Sequence, residues 1–169
     1  MIIFVEGYDC SGKTTLCNKL SKELNMPIYK TFNERKLDRN YNMTIEKKIG
    51  LKRRIDADLY ISDFLLQIDK EISFISDRSL FSYMFYNKED KNMYNWWANK
   101  LKNINGKKVL IFCLPNYDNY KLFLTKRNKK TTEKEIKYYI NKNEEFLSMI
   151  KKYWKETFII INIGELNGK

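Results

Sequence analysis

The chain opens on an unbroken apolar run, "MIIFV", closed by Glu6. A run this short, rich in β-branched residues, predicts a buried strand. Over residues 13–25 the pattern becomes a helical stripe, with Leu16, Leu20 and Leu24 four apart and Cys17 beside them. Pro27 ends that helix, and "PIYKTF" is a candidate second strand. Ile45, Ile49, Ile55, Leu59 and Leu66 predict one long or broken helix from Thr44 to Gln67. "EISFIS" (71–76) reads as a strand ending at Asp77, and helical segments follow at 79–86 and 92–104 around the polar "NKEDK". "KKVLIFCLP" (107–115) is a buried strand stopped by proline. Helices at 117–127 and 133–154 flank a basic break at 126–132, and "TFIIINI" (157–163) is the last strand.

Strands therefore alternate with helices. The two strongest, 109–113 and 158–161, are continuously apolar, as strands covered on both faces are. The pattern predicts an α/β fold in three layers, with about five parallel strands and helices on both faces of the sheet. No repeat or linker breaks the 169 residues, so one domain over 1–169 is expected.

Composition narrows the partners. The net charge of +11 suits nucleotide phosphates or nucleic acid, although solubility alone accounts for it equally well. Histidine is absent and Cys10, Cys17 and Cys113 form no paired motif, which argues against zinc and suits a reducing compartment. The apolar start lacks a basic leader, and no run approaches membrane-spanning length. A cytoplasmic protein with no membrane partner is expected. Its wealth of Lys, Asn, Ile and Tyr points to A/T-rich coding, and so to a host's cytoplasm if the source is viral.

Candidate chemistry starts at "GYDCSGKTT". Gly7, Gly12, Lys13 and Thr14 fill every fixed position of G-x-x-x-x-G-K-[ST], between a strand and an amphipathic helix. Glycines let the backbone wrap an anion with its N–H groups inward, and the helix start adds positive potential. Gly7, Tyr8, Asp9, Cys10, Ser11, Gly12, Lys13, Thr14 and Thr15 are thus the expected cradle for the phosphates of ATP. A solvent-facing Lys13 would reach the β- and γ-phosphates, and the Thr14 hydroxyl would bind Mg²⁺. Asp77, at the carboxyl end of a strand, is the second candidate for the ion, and Arg78 beside it can grip a phosphate.

These segments carry a resemblance. "FVEGYDCSGKTTL" is similar to the opening of the thymidylate kinase family, Glu-Gly-x-Asp/Glu-x-x-Gly-Lys-Thr/Ser-Thr, and "DRSLFSYMFY" resembles its Asp-Arg-Tyr-x-x-Ser-x-x-Ala-Tyr segment. Asp77, Arg78, Ser82 and Tyr86 fall at matching spacing. The resemblance implies a nucleoside monophosphate kinase that passes the γ-phosphoryl of ATP, with Mg²⁺, to dTMP or another deoxynucleotide. It implies Asp9 on the acceptor's sugar hydroxyl, Arg78 on the acceptor's phosphate, and Tyr86 or Tyr83 lining the acceptor pocket. Ser79 departs from the family's Tyr, "KTFNERK" stands where a Pro-Gly-rich loop is usual, and the arginine slot of the long helix falls near Ala57. Arg53 and Arg54, one turn earlier, are the substitutes. Cys10 stands where some members carry a catalytic arginine, which moves that role to Arg127 in the basic break, read as a lid.

Two other acceptors are compatible with the same cradle. A deoxynucleoside kinase needs a carboxylate base, for which Glu34 is the one candidate. A basic polynucleotide kinase or nucleic-acid-dependent ATPase would use the charge and the aromatics, but nucleic acid is not the expected partner. The oligomeric state is left open, with a homodimer among the outcomes. "NKED" at 87–90 spells a guanine signature, yet it follows no buried strand and reads as a polar loop.

Overall fold

A computed structural model of the chain describes residues 1–30, 73–87, 95, 98–99, 106–127 and 131–163. Its elements are β1 (Ile2–Glu6), α1 (Lys13–Leu24), β2 (Ile28–Lys30), β3 (Phe74–Asp77), α2 (Leu80–Asn87), β4 (Lys108–Cys113), α3 (Tyr117–Arg127), α4 (Glu133–Tyr153) and β5 (Thr157–Ile161). The five strands form one parallel sheet in the order β2-β3-β1-β4-β5. The helix read at 44–67, with Arg53 and Arg54, lies outside the described residues, as do Glu34, 88–94 and 128–130.

Strand periodicity divides the core. Ile2 and Phe4 of β1, with Leu110 and Phe112 of β4, pack under Phe81 and Met84 of α2 and Phe146, Leu147 and Ile150 of α4. Ile3, Val5, Ile75, Val109 and Ile111 point to the other face, under Leu16 and Cys17 of α1. β1 lies between β3 and β4 and is buried at every position, which is why its apolar run is continuous. A third cluster, Tyr120, Leu124 and Ile136, joins α3 to α4 and takes in Cys10.

Local signals set the ends. Asn25 in the left-handed region stops α1 (φ 51°). The Thr132 hydroxyl accepts from the Glu135 N–H while the Glu135 carboxylate accepts from the Thr132 N–H, a capping box that starts α4.

One expectation fails at β5. Its apolar run suggested cover on both faces, yet Ile159 and Ile160 are 42% and 40% exposed. Among the described residues the strand pairs with β4 alone and stands at the sheet's edge.

Candidate active site

The cradle is residues 7–12, between β1 and α1. Gly7 (φ 143°) and Gly12 (φ 84°) occupy conformations that side chains disfavour. A Cβ on Gly7 would lie 2.5 Å from Ser11 Oγ and 2.9 Å from the Cys113 carbonyl oxygen, so the turn closes only around hydrogen.

Lys13 corrects the expectation of a solvent-facing side chain. It is buried, and its Nζ donates to the Tyr8 carbonyl at 2.7 Å and to Ser11 Oγ at 3.2 Å. Burial, with the Arg78 guanidinium adding to it, brings its pKa down to about 8. Thr14 and Thr15 are exposed. The Thr14 hydroxyl donates to Asp77 Oδ2 at 3.1 Å, so the two oxygens chosen for a cation do meet.

Beside the cradle the structure joins three predicted acceptor residues. Asp9 Oδ1 accepts from Arg78 Nη2 at 2.7 Å and from the Tyr86 hydroxyl at 2.9 Å. The Arg78 guanidinium also lies 5.3 Å from the centre of the Tyr86 ring. Burial works to raise the Asp9 pKa, but Arg78, Lys13 and Tyr86 outweigh it and hold the carboxyl below its ordinary range. Arg78 takes φ 79°, sparsely populated for a residue with a side chain. Two backbone bonds fix it there: its N–H donates to Val5 O at 3.0 Å, and its carbonyl accepts from Ser76 Oγ at 2.6 Å. Tyr83 is on α2, and its side chain lies outside the described residues.

Arg127, at the end of α3, sends Nη1 to Cys10 Sγ at 3.4 Å. The arginine expected in the basic break and the loop position that lacks one are therefore neighbours. Lys126 is exposed, with no described contact to the cradle.

Sequence reasoning missed three features. Glu6 is fully buried and accepts from the Ser79 N–H at 2.7 Å and from the hydroxyls of Ser79 and Ser82. Burial raises its pKa, against the serines, Arg78 and Lys13. The Ser79 hydroxyl in turn accepts from the Phe81 N–H at 3.1 Å and caps α2. Glu6 thus ties the end of β1 to the turn that aims Arg78. Second, Tyr8 stacks on Tyr86 with centroids 5.3 Å apart, and Phe85, Tyr138 and Tyr139 meet it edge-on. Third, Asn143 is fully buried under the loop. A polar residue in the apolar stripe Ile136, Ile140, Leu147, Ile150 was the signal for it.

A family profile described as thymidylate kinase matches residues 5–166. Among curated proteins none matches by sequence. Solved structures are similar in fold. The YorR protein of Bacillus subtilis, in complex with phosphorylated GDP, aligns with TM-score 0.62 at 20% identity, over 98% of this chain and 87% of that one. Deoxyadenosine kinase from M. mycoides, with the products dCMP and dCDP, aligns at 0.58 and 21% identity, over 97% and 91%. A shikimate kinase from Bacteroides thetaiotaomicron aligns at 0.56 and 16% identity, over 100% and 89%.

Proposed function

Because the chain belongs to the thymidylate kinase family, we propose that it transfers the γ-phosphoryl group of ATP to a nucleoside monophosphate, dTMP or another deoxynucleotide. The observation that carries this reading is the meeting of Arg78 and Tyr86 on one Asp9 oxygen, next to Lys13. Acid, guanidinium and ring form a compact polar site beside the cradle. That site suits an acceptor bearing a sugar hydroxyl, a phosphate and a base.

In this reading the loop amides and Lys13 hold the β- and γ-phosphates of ATP. Arg78 turns from Asp9 to the acceptor phosphate, for which its planar fork is fitted. Asp9 accepts the sugar hydroxyl, and Tyr86 lines the base. Arg127 covers the transferring group. The acceptor phosphate is itself the nucleophile, so no histidine is needed, and positioning with charge neutralisation does the work. Thr14 and Asp77 would hold Mg²⁺, since a hydroxyl and a carboxylate 3.1 Å apart are hard donors suited to that ion. When bound with ATP, Mg²⁺ supplies charge neutralisation at the β- and γ-phosphate oxygens.

A deoxynucleoside acceptor is the second reading. Ser79 supports it, because Asp-Arg-Ser is similar to the Glu-Arg-Ser of deoxynucleoside kinases. Replacing Arg78 tests the first reading. With a monophosphate acceptor, Arg78→Ala raises the barrier reported by kcat/KM for the acceptor by a few kcal/mol, the effect of leaving a phosphate without its charged partner. ATP affinity changes by less than about twofold in the same variant, since Arg78 serves the acceptor. Equal losses for ATP and acceptor would place Arg78 on the donor, and an unchanged acceptor kcat/KM would remove its role.

A further inference from the structure

The peptides on both sides of Tyr8 are held. Its carbonyl accepts from Lys13 Nζ at 2.7 Å and from the Ser11 N–H at 3.2 Å. Its N–H donates to Asn143 Oδ1 at 2.6 Å. The same amide donates through Nδ2 to the Cys113 carbonyl at 3.0 Å, the oxygen against which Gly7 packs. Asn143 is 0% exposed and belongs to α4, the helix that follows the basic break. One buried side chain therefore joins the loop, the end of β4 and α4.

On that geometry, and resting on the kinase reading above, we infer that Asn143 is a positioning residue for ATP. It fixes the Gly7–Tyr8 peptide and so anchors the residue whose carbonyl, in the next peptide, accepts from the Lys13 amine. It touches neither substrate in this account. The acceptor side is fixed separately, by Glu6 on Ser79 and Ser82 and by the Arg78 N–H on Val5. Loss of Asn143 therefore acts first on the donor, and reaches the acceptor side only through Tyr8, which precedes Asp9 and stacks on Tyr86. Two buried groups, the Tyr8 N–H and the Cys113 carbonyl, would lose their partner, and each such loss is costly in a buried site.

The test uses the full chain and two variants close in size, Asn143→Leu and Asn143→Asp. Leucine deletes both bonds, whereas aspartate keeps an oxygen for Tyr8 but sets a carboxylate against the Cys113 carbonyl. Expected in both is a rise in the KM and Kd for Mg-ATP of about tenfold or more, with the acceptor KM within about twofold. Amide exchange at Tyr8, followed by NMR without nucleotide, should be slow in the wild type and fast in Asn143→Leu. An unchanged ATP affinity with Tyr8 still protected overturns the inference. So does an equal rise in both KM values with a lowered Tm, the mark of a merely structural residue. Should the wild type turn over no nucleotide acceptor, the kinase reading falls by itself. The Kd for Mg-ATP and the Tyr8 exchange rates would then decide the case of Asn143.

Discussion

Lys13 carries a charge into a place that disfavours it. Its side chain is 6% exposed, beside Arg78, and its pKa is about 8 against an ordinary 10.5. The unfolded chain keeps that proton up to about 10.4, so between the two values the folded chain binds fewer protons. Stability from this group accordingly rises with pH across that window, and at neutral pH the charged lysine is a cost of up to a few kcal/mol, at roughly 1.4 kcal/mol per pKa unit. Lys13→Met should abolish phosphoryl transfer without lowering the Tm at pH 7, as scanning calorimetry would show. A fall in Tm of several degrees would mean that the two bonds Lys13 makes outweigh its burial. In the wild type, ATP affinity should weaken as pH rises through about 8, where the amine loses its charge. The motif put Lys13 forward as a candidate phosphate ligand. Its burial and the Arg78 charge beside it were not legible, because Arg78 is 65 residues away in the chain.

At the scale of elements, the strand–turn–helix around each site residue was readable and the bonds between elements were not. Helix α3 runs Tyr117–Arg127 as the pattern indicated, and α4 starts at its capping box. What brings Arg127 to Cys10 is the packing of Tyr120 and Leu124 on Ile136, with Cys10 against that cluster. The arrangement offers an arginine from α3 where Cys10 has no charge to give. Arginines over a transferring phosphoryl group contribute about 10³–10⁵ in rate in related systems. Arg127→Ala is therefore expected to lower kcat by about 100-fold or more, with a smaller change in the acceptor KM. Single-turnover measurements with saturating ATP and acceptor would check it. Wild-type kcat in that variant would release Arg127 from the mechanism. Glu6 illustrates the opposite case, a residue the motif contains but whose work is invisible in sequence. Its partners Ser79 and Ser82 lie 73 and 76 residues away.

For the whole molecule, a sheet built from continuous apolar runs reveals its own order of layers. Continuous burial in β1, β3 and β4 left little ambiguity. β5 misled because an edge strand can be as apolar as a central one. Parallel order β2-β3-β1-β4-β5 gathers the carboxyl ends of β1, β3 and β4 on one side of the sheet, and the described residues of the cradle, with Asp77 and Arg78, lie at or just after the ends of β1 and β3. No helix among the described residues is long and apolar enough to cross a membrane. The charge of +11 fits small phosphorylated substrates as well as a nucleic acid, and the acceptor itself must decide between them. The most direct measurement is ADP formation from Mg-ATP by the full chain across a panel of acceptors. The panel holds the four common deoxynucleoside monophosphates, the ribonucleoside monophosphates, the deoxynucleosides and a 5′-hydroxyl oligonucleotide. Expected is ADP in equal amount to a nucleoside diphosphate formed from dTMP or another deoxynucleoside monophosphate, with nucleosides and oligonucleotide inert. ADP formed only with a deoxynucleoside or with the oligonucleotide, the monophosphates being inert, would contradict it.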